Sequence, residues 1–372
     1  MLKHLETFLT RKYKPLNLIE ISQKNLLANY HYLESCGIKI APVLKSNAYG
    51  HGLVEVAKIL DRLSIPFFCV DSLFEAYELL KSGIKSKILV MGYVDPESLR
   101  TKKLPFSFTL YTMEQIKVFS EYQPQCPLHI FVDSGMHREG FQAEMVQKVI
   151  KESQRNGLKI EGIMSHFAEA ENPSKRETKK QIANFKNILN TLEHMNVLPR
   201  FVHFSNTSAT LHLKELEGVG NVARCGLGLY GIDPEGKNRK LLPVLQFKSK
   251  VAQLKEIPKG DFLGYGFTYK APSKKKIAVL PLGYNDGLDR RLSNKGFVYV
   301  AKIPCPIVGR ISMNITTIDV TRCKNIKVGD EVTIFSSKAV HKNSIYNAAT
   351  IANTIPYDLL VHLHTSTRRV VR

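Results

Sequence analysis

A lysine stands where the chain's first strongly apolar run ends. Residues 38–44 predict a buried strand, Lys45 follows directly, and residues 53–63 predict a helix after a turn rich in Asn and Gly. Desolvation generally lowers the pKa of an ammonium group, and a neutral amine can form an imine with an aldehyde. Tyr49 lies one helical turn on, where its hydroxyl could reach an anion. The plainer alternative is a strand-end lysine whose charge extends into water.

Polar residues also end several later strand-like runs. They are Asp133 and Ser134 after the fifth run, His166 after the sixth, residues 205–207 after the seventh and Arg224 on the eighth. The active site of a barrel lies at the carboxyl ends of its strands, so we expect these side chains to converge with Lys45. Any one of them alone would more often be structural.

The elements that must position these residues form a regular alternation. Strand-like runs occur at residues 38–45, 66–72, 87–93, 106–111, 128–134, 159–167, 201–206 and 221–226, with amphipathic segments between most of them. A further short run at 18–21 precedes a predicted helix at 25–36. Eight strands alternating with helices predict an α/β fold, a closed (β/α)8 TIM-like barrel. An open doubly wound sheet is the alternative, but no G-x-G-x-x-G follows an early strand.

Helical periodicity fades after about residue 235. Short β-rich runs broken by Gly and Pro follow, for example at residues 276–282, 297–301 and 331–335. A short helix is predicted near residues 345–353. The sequence therefore predicts two domains, a (β/α)8 barrel over residues 1–244 and a C-terminal mainly-β domain over residues 245–372.

Composition narrows the function classes. The net charge is +20, but the basic residues are dispersed and the densest run is Lys274 to Lys276, so we expect a solvated basic surface and no nucleic-acid partner. The six cysteines form no C-x-x-C pair, which indicates neither a metal site nor a disulfide framework. No apolar run approaches the ~20 residues of a membrane span, and no secretory h-region stands at residues 1–15. We therefore expect a cytoplasmic protein without a membrane partner.

The longest motif identifies a family. Residues 45–52 read K-S-N-A-Y-G-H-G and closely resemble the pyridoxal-phosphate lysine motif of alanine racemases, usually K-A-N-A-Y-G-H-G. Residues 162–167 are similar to the family's G-x-x-[ST]-H-F, and residues 224–231 to its R-x-G-[IL]-x-x-Y-G. The resemblance implies that Lys45 binds pyridoxal 5'-phosphate covalently. It also implies that His166 hydrogen-bonds Arg224 and links it to Tyr265.

The resemblance implies further contacts with cofactor and substrate. It assigns the cofactor to Lys45, Tyr49, His166, Asn206, Thr207, Arg224, Gly226, Leu227 and Tyr357, with the Thr207 hydroxyl and the N–H groups of Gly226 and Leu227 on the phosphate. Arg138 and the Met313 N–H would bind the substrate carboxylate, and Tyr284 would stand at the entrance. Arg224 would face the pyridine nitrogen, and because arginine has no acceptor and stays charged, that nitrogen should stay unprotonated.

The function that the resemblance implies is alanine racemisation by two bases. Lys45 and Tyr265 would stand on opposite faces of the substrate Cα, one removing the proton and the other returning it. D-alanine for cell-wall peptidoglycan would be the product, and a homodimer would share its sites, with Tyr265 acting in the partner's barrel. The alternatives are a racemase of another or broader amino-acid set, such as serine, and a non-catalytic pyridoxal-phosphate barrel protein.

Two positions depart from the family pattern. Many members carry a carbamylated lysine on the fifth strand, seven residues before the substrate-binding arginine, and Phe131 occupies that position here. The family's aspartate after the methionine is Asn314. Both changes remove negative charge near the substrate carboxylate. We therefore expect Arg138 to be held less firmly, unless Asp133, a bound anion or a neighbouring side chain substitutes.

Overall fold

The computed structural model describes residues 14–100, 103–216, 219–238 and 240–372. These residues form two compact units. One unit comprises residues 24–242, and the other combines the described residues up to 23 with residues 243–372. Strand β1 (Leu18–Ile21) and helix α1 (Gln23–Glu34) come first along the chain.

Eight parallel strands organise the unit of residues 24–242. They are β2 (Lys39–Pro42), β3 (Phe68–Val70), β4 (Ile88–Val90), β5 (Ser107–Leu110), β6 (Leu128–Phe131), β7 (Ile160–Met164), β8 (Phe201–His203) and β9 (Val222–Cys225). Strands β3 to β8 pair in sequence order, and β2 pairs with β9. The two sheets join where Leu44 N donates to Cys69 O (2.8 Å) and Arg224 N donates to Ser205 O (2.9 Å). The predicted (β/α)8 barrel is confirmed.

Helices connect the barrel strands. They are α2 (Leu53–Leu60), α3 (Leu73–Lys81), α4 (Pro96–Leu99), α5 (Met113–Tyr122), α6 (Val146–Arg155), α7 (Arg176–His194) and α8 (Thr207–Leu211). Local signals set their starts. Ser72 caps α3 by accepting from Glu75 N, and Thr112 with Gln115 forms a capping box at α5. Helix α7 buries Ile182, Phe185, Ile188 and Leu192 at helical spacing, which packs one face onto the barrel.

The second unit is built mainly from strands, as predicted. They are β10 (Leu245–Lys250), β11 (Gln253–Ile257), β12 (Phe262–Leu263), β13 (Tyr269–Lys270), β14 (Lys275–Leu280), β15 (Phe297–Val300), β16 (Ile303–Pro306), β17 (Thr316–Asp319), β18 (Glu331–Phe335) and β19 (Arg368–Val371). The sheets run β16-β15-β18-β10-β1-β19, β11-β14-β17 and β12-β13. Two helices, α9 (Ile345–Ala352) and α10 (Pro356–Val361), complete the unit.

Strand β1 differs from the predicted domain boundary, which placed residues 1–244 in the barrel. It pairs antiparallel with β10 and parallel with β19, so it lies in the sheet of the second unit. Ile19 and Ile21 alternate into the core of that sheet, where both are fully buried. The sequence shows this alternation but not the partner strands, because both partners lie more than 200 residues away.

Three expectations concern features outside the active site. None of the described helices combines the length and apolar character needed to cross a membrane. The described residues contain no group of three or more His, Cys, Asp and Glu side chains placed to hold a metal ion. All six cysteines are free thiols, and all but Cys36 are buried.

Candidate active site

Lys45 begins a turn of unusual handedness at the carboxyl end of β2. Residues Ser46 to Tyr49 all have positive φ, between 50° and 56°, so the turn that follows Lys45 is left-handed although it contains no glycine. Each such residue costs roughly 1–2 kcal/mol relative to the right-handed form. Strain of this size persists only where surrounding contacts impose it, and such segments cluster at functional sites.

Two side chains hold this turn in place. Asn47 Oδ1 accepts from Leu53 N (2.8 Å) at the start of α2. Glu75 accepts from Asn47 N (3.3 Å) with one oxygen and from Asp71 N (2.9 Å) with the other. Lys45 Nζ lies 3.9 Å from Asp71 Oδ1, with its side chain partly exposed. The turn therefore presents the lysine amine at the barrel mouth on a fixed backbone.

Tyr49 reaches the glycine of the predicted phosphate segment. A Cβ on Gly226 would lie 2.8 Å from Tyr49 Oη, so glycine is required for the tyrosine hydroxyl to lie there. The Tyr49 ring packs on Tyr230 with 5.3 Å between centroids. Tyr230 is buried and donates from Oη to Val43 O (2.9 Å), which ties the segment to the end of β2. Tyr230 belongs to the R-x-G-[IL]-x-x-Y-G motif, but the sequence assigned it no role.

The N–H groups of Gly226 and Leu227 lie at the start of a 3-10 turn, Leu227–Tyr230. The first N–H groups of such a turn have no acceptor inside it, and neighbouring backbone N–H groups favour an anion. Thr207 Oγ1 accepts from Gly228 N (3.1 Å), which places its hydroxyl beside them. Asn206 instead caps α8 by accepting from Ala209 N (2.9 Å), so this contact is structural.

Arg224 lies inside the barrel and is only 5% exposed. Its Nη1 donates to His203 Nδ1 (3.0 Å) and His203 O (2.5 Å), and its Nη2 donates to Ser165 O (2.6 Å) and His166 Nδ1 (3.0 Å). These four contacts use the hydrogens of both terminal nitrogens. A guanidinium has five N–H donors, so Nε–H is the one that remains.

Both histidines that contact Arg224 are neutral. Burial and, to a smaller extent, the positive charges of Arg224, Arg138 and Lys45 together lower the pKa of His166 to about 3. Burial likewise holds the pKa of His203 well below its usual range. Because arginine only donates, Nδ1 accepts in each ring and Nε2 carries the proton. Of these three cations Arg224 contacts His166 directly, and the charges of Lys45 and Arg138 act on it from farther away.

A buried chain of polar groups continues below Arg224. His203 Nε2–H donates to His129 Nδ1 (2.7 Å), which leaves the His129 proton on Nε2, 3.7 Å from Glu161 Oε2. Glu161 also pairs with Lys87 (2.6 Å). The contacts with His129 and Lys87 lower the pKa of Glu161 to about 2 although burial opposes this. Sequence reasoning missed His203 and Glu161, whose signal is a polar residue inside an apolar strand.

Arg138 lies on the loop that follows β6. Asp133 Oδ1 accepts from the N–H groups of Gly135 (2.8 Å), Met136 (2.9 Å) and His137 (3.1 Å) and so shapes this loop. Partial burial raises the pKa of Asp133, but these three hydrogen bonds outweigh it and lower the pKa below its usual range. Arg138 is half-exposed, and its Nη2 donates to Glu139 Oε1 (2.6 Å).

Tyr265 lies in the second unit and is 71% exposed. It opens a 3-10 turn, Tyr265–Phe267, between β12 and β13, and Gly264 and Gly266 in this segment have φ of 77° and 70°. A Cβ on Gly266 would lie 2.7 Å from Arg310 Nη1, so the Arg310 guanidinium packs on the tyrosine turn. The sequence assigned Arg310 no role, although it lies three residues before Met313.

Tyr284 and Met313 are presented by two loops of the second unit that are hydrogen-bonded together. Tyr284 N donates to Ser312 O (3.1 Å), and Asn285 N donates to Met313 O (3.0 Å). The backbone of Gly283 lies so close to this segment that no side chain would fit there. Both Tyr284 and Met313 are exposed, and Asn314 follows them on the surface. Tyr357, at the start of α10, is half-buried.

Comparison with known proteins gives two family matches. Residues 21–234 match the family model "Alanine racemase, N-terminal domain", and residues 244–371 match "Alanine racemase, C-terminal domain". Alanine racemase 2 of Caldanaerobacter subterraneus subsp. tengcongensis is 32% identical over 367 residues, covering 95% of this chain and 93% of the relative. An alanine racemase structure from Clostridium difficile 630 superposes with a TM-score of 0.90 at 31% identity, covering 97% of each chain.

A second solved structure bears on the cofactor. An alanine racemase from Bartonella henselae, whose structure holds covalently bound pyridoxal phosphate, superposes with a TM-score of 0.83 at 27% identity. The comparison covers 96% of this chain and 100% of the other.

Proposed function

This chain belongs to the alanine racemase family, a family of isomerases, and from that premise we propose that it interconverts L-alanine and D-alanine with pyridoxal 5'-phosphate. The observation that carries the proposal is the geometry at the carboxyl ends of the barrel strands, where Arg224 Nη2 contacts His166 Nδ1 at 3.0 Å and Lys45 begins the left-handed turn after β2. The product D-alanine would serve cell-wall peptidoglycan. The free thiols support a cytoplasmic location, where thiols stay reduced.

The barrel residues fit pyridoxal 5'-phosphate. The Thr207 hydroxyl and the N–H groups of Gly226 and Leu227 would hold the phosphate, with the Tyr49 hydroxyl beside them. When bound, the cofactor supplies an aldehyde for the lysine or substrate amine and a conjugated ring that weakens the Cα–H bond. The glycine at position 226 fits this role, because any side chain there would displace the Tyr49 hydroxyl.

Arg224 would orient the cofactor ring and hold its nitrogen unprotonated. Its terminal nitrogens are engaged by two carbonyls and two imidazoles, so Nε–H is the donor left for a ring nitrogen. A buried cation disfavours a second positive charge beside it. An unprotonated ring is a weaker electron sink, which favours quick return of the proton to Cα over transamination.

Two bases would act on the substrate proton. The Lys45 amine would stand on one face of Cα and the Tyr265 phenol oxygen on the other, because a single base returning its own proton would mostly restore the starting enantiomer. His166 carries its proton on Nε2, and this N–H would donate a hydrogen bond to the Tyr265 oxygen. The hydrogen bond would stabilise the phenolate that is left when Tyr265 gives up its proton.

We propose a homodimer in which Tyr265 serves the partner's site. Tyr265 is exposed together with Phe262, Phe267, Met313 and Ile315, an apolar group that is unusual on a surface without a binding role. The Phe262 and Phe267 rings contact each other at 5.9 Å, and a Cβ on Gly309 would meet Leu263 O at 3.1 Å, so the segments that carry this group are adjacent.

The experiment that tests the function is a racemase assay on the purified protein with added pyridoxal 5'-phosphate. Each L-amino acid is incubated separately, and the D-enantiomer is measured by chiral chromatography. We expect D-alanine to form fastest. Faster formation of D-serine would favour a broader racemase, for which the departures at Phe131 and Asn314 provide a reason. Covalent cofactor without any D-amino acid would favour the carrier protein, which the second domain at residues 244–371 argues against.

A further inference from the structure

We propose that Glu139 is the positioning residue that orients Arg138 toward the substrate carboxylate. The proposal rests on the proposed function, in which Arg138 binds that carboxylate. It answers the question raised by Phe131, which stands where many relatives carry a negatively charged carbamylated lysine. In this chain the negative charge comes from the residue next to the arginine itself.

The first observation is the contact between the two side chains. Arg138 Nη2 donates to Glu139 Oε1 at 2.6 Å, a short charge-assisted hydrogen bond. The glutamate side chain is 23% exposed and the arginine side chain 52%, so the more buried partner holds the more exposed one. A guanidinium held through Nη2 still offers Nη1 and Nε to a second carboxylate. Glu139 can therefore fix the arginine without occupying all of its donors.

The second observation is that the backbone carrying Glu139 is fixed. Phe141 N donates to Phe131 O (2.9 Å), and Asp133 N donates to Phe141 O (2.8 Å), so the loop returns to the end of β6. Gly140 has φ of 103°, and a Cβ there would lie 2.5 Å from Phe131 Cδ1. The residue after Glu139 must be glycine for the loop to lie this close to the phenylalanine. Glu139 is thus held beside the position of the missing lysine.

The third observation concerns Phe131 and its neighbours. The Phe131 ring stacks on Tyr111 with 5.4 Å between centroids, and Tyr111 stacks on Tyr93 at 4.7 Å. Phe131 and Tyr111 are both buried, so this stack fills the volume with apolar surface. Burial raises the pKa of Tyr111, and the charge of Glu139 raises it further. The negative charge of Glu139 therefore acts on the aromatic cluster of Tyr93, Tyr111 and Phe131, to which Phe131 itself adds no charge.

Asp133, the other candidate for this role, is already engaged. Its Oδ1 accepts three backbone N–H groups, and its Oδ2 lies 3.1 Å from His137 Nδ1. It shapes the loop but is not paired with Arg138. Glu139 is thus the carboxylate that the structure places on the arginine.

The test begins with Glu139→Gln, which keeps the shape and removes the charge. We expect the KM for L-alanine and for D-alanine to rise about five- to tenfold, with kcat within about twofold, because the effect lies in holding Arg138 for binding. The matched control is Glu144→Gln, an exposed glutamate on the same loop region, which should leave KM unchanged. An unchanged or lower KM in Glu139→Gln would overturn the proposal, and a lower KM would mean that Glu139 competes with the substrate.

A rescue experiment separates positioning from folding. Glu139→Leu should raise KM as Glu139→Gln does and should not respond to bicarbonate. Adding Phe131→Lys to Glu139→Leu supplies a lysine that bicarbonate can carbamylate, and we expect bicarbonate to lower the KM of this double variant severalfold. A folded double variant that is carbamylated, as shown by mass spectrometry under native conditions, but whose KM does not fall would count against an anion as the missing element.

Acetate binding distinguishes failure of this proposal from failure of the proposed function. Binding of acetate to the holoenzyme is followed by the broadening of its proton NMR signal, with Arg138→Gln as the variant that should abolish it. If the wild type turns over no amino acid but Glu139→Gln still weakens acetate binding, the function is wrong and Glu139 keeps its role. If the wild type racemises alanine and Glu139→Gln binds acetate as well as the wild type, the role of Glu139 is wrong.

Discussion

Replacing Glu161 by glutamine tests whether the buried chain below Arg224 stabilises the barrel through charge. Glu161 is 5% exposed and lies at the end of the series of buried contacts that leads from Arg224 through His203 and His129. It also holds Lys87 at 2.6 Å. Glutamine keeps the shape of the side chain but removes the negative charge that attracts Lys87 and that lies 3.7 Å from His129 Nε2. We therefore expect Glu161→Gln to lower stability without reorganising Arg224.

The size of the loss follows from the pKa of Glu161. A free glutamate has a pKa of about 4.3, and the contacts in the barrel lower that of Glu161 to about 2. A difference of roughly two units corresponds to about 3 kcal/mol, and solvent screening of the half-exposed Lys87 reduces this to about 2 kcal/mol. Because the folded-state pKa is the lower one, this stabilisation is fully present above about pH 4.3 and disappears as the pH falls toward 2.

The assay is urea unfolding of the wild type and Glu161→Gln, followed by far-UV circular dichroism. At pH 7 and pH 5.5 we expect the variant to be less stable by about 2 kcal/mol, and near pH 3 this difference should shrink to roughly half or less. Glu152→Gln is the control. Glu152 pairs with the exposed Arg155 on α6 and its Oε1 accepts from Asn156 Nδ2, a contact that glutamine can keep, so this change should cost less than about 0.5 kcal/mol.

The result that would refute this reasoning is a loss that does not depend on pH. Such a loss would mean that Glu161→Gln disturbs packing and that the charge contributes little. If Glu161→Gln costs no more stability than Glu152→Gln, the contacts of Glu161 with Lys87 and His129 contribute little to stability. We expect kcat for alanine to stay within about threefold, because Arg224 keeps its four contacts. A larger drop in kcat would show that the disturbance reaches the active site.

Three further predictions concern the turn and the two bases. Lys45→Ala should abolish racemisation and covalent cofactor, and borohydride trapping with peptide mapping should find no other modified lysine; a labelled lysine elsewhere would refute the assignment. Mixing Lys45→Ala with Tyr265→Ala subunits should restore part of the activity, because one of the two hybrid sites carries both bases; verified heterodimers that stay inactive would exclude the shared site. Asn47→Ala should lower stability by about 1 kcal/mol in urea unfolding, because it removes the Leu53 N contact, whereas the exposed Asn190→Ala should not.

The fold was largely predictable because its signals are local. All eight barrel strands begin and end within a few residues of the apolar runs, and the β-rich second domain follows from Gly, Pro and short alternating segments. The sheet that contains β1 was not predictable in the same way. Strand β1 pairs with β10 and β19, which lie at the two ends of the second unit. The four residues of β1 contain no signal that identifies such distant partners.

The site was predictable as a set of residues but not as a geometry. The motif at residues 45–52 locates the lysine, yet its composition indicates only a turn. In the folded chain Glu75 on α3 accepts from Asn47 N within the turn, and Tyr230 after β9 packs on Tyr49. Glu139 illustrates the same limit, because the sequence shows that Phe131 cannot carry charge but not which neighbour does.

The pairing of charges at the barrel mouth bears on the choice between racemisation and other outcomes. Two of the three cations there have a carboxylate, Lys45 with Asp71 (3.9 Å) and Arg138 with Glu139 (2.6 Å). Within the part of the chain that the structure describes, no carboxylate pairs directly with Arg224. The buried contacts of Arg224 lead through the imidazoles of His203 and His129 to the carboxylate of Glu161.

The positive charge of Arg224 affects any ring nitrogen that accepts a hydrogen bond from it. Burial lowers the pKa of the guanidinium but leaves it charged, because an arginine starts from a pKa above 12. A ring nitrogen facing this uncompensated cation would have to add a second buried positive charge to become protonated, which the low-dielectric interior opposes. A carboxylate in the place of Arg224 would instead favour protonation of the ring nitrogen. If the described residues hold the cofactor as proposed, the lack of a carboxylate on Arg224 among them would favour an unprotonated ring nitrogen, which fits the proposed racemisation better than transamination.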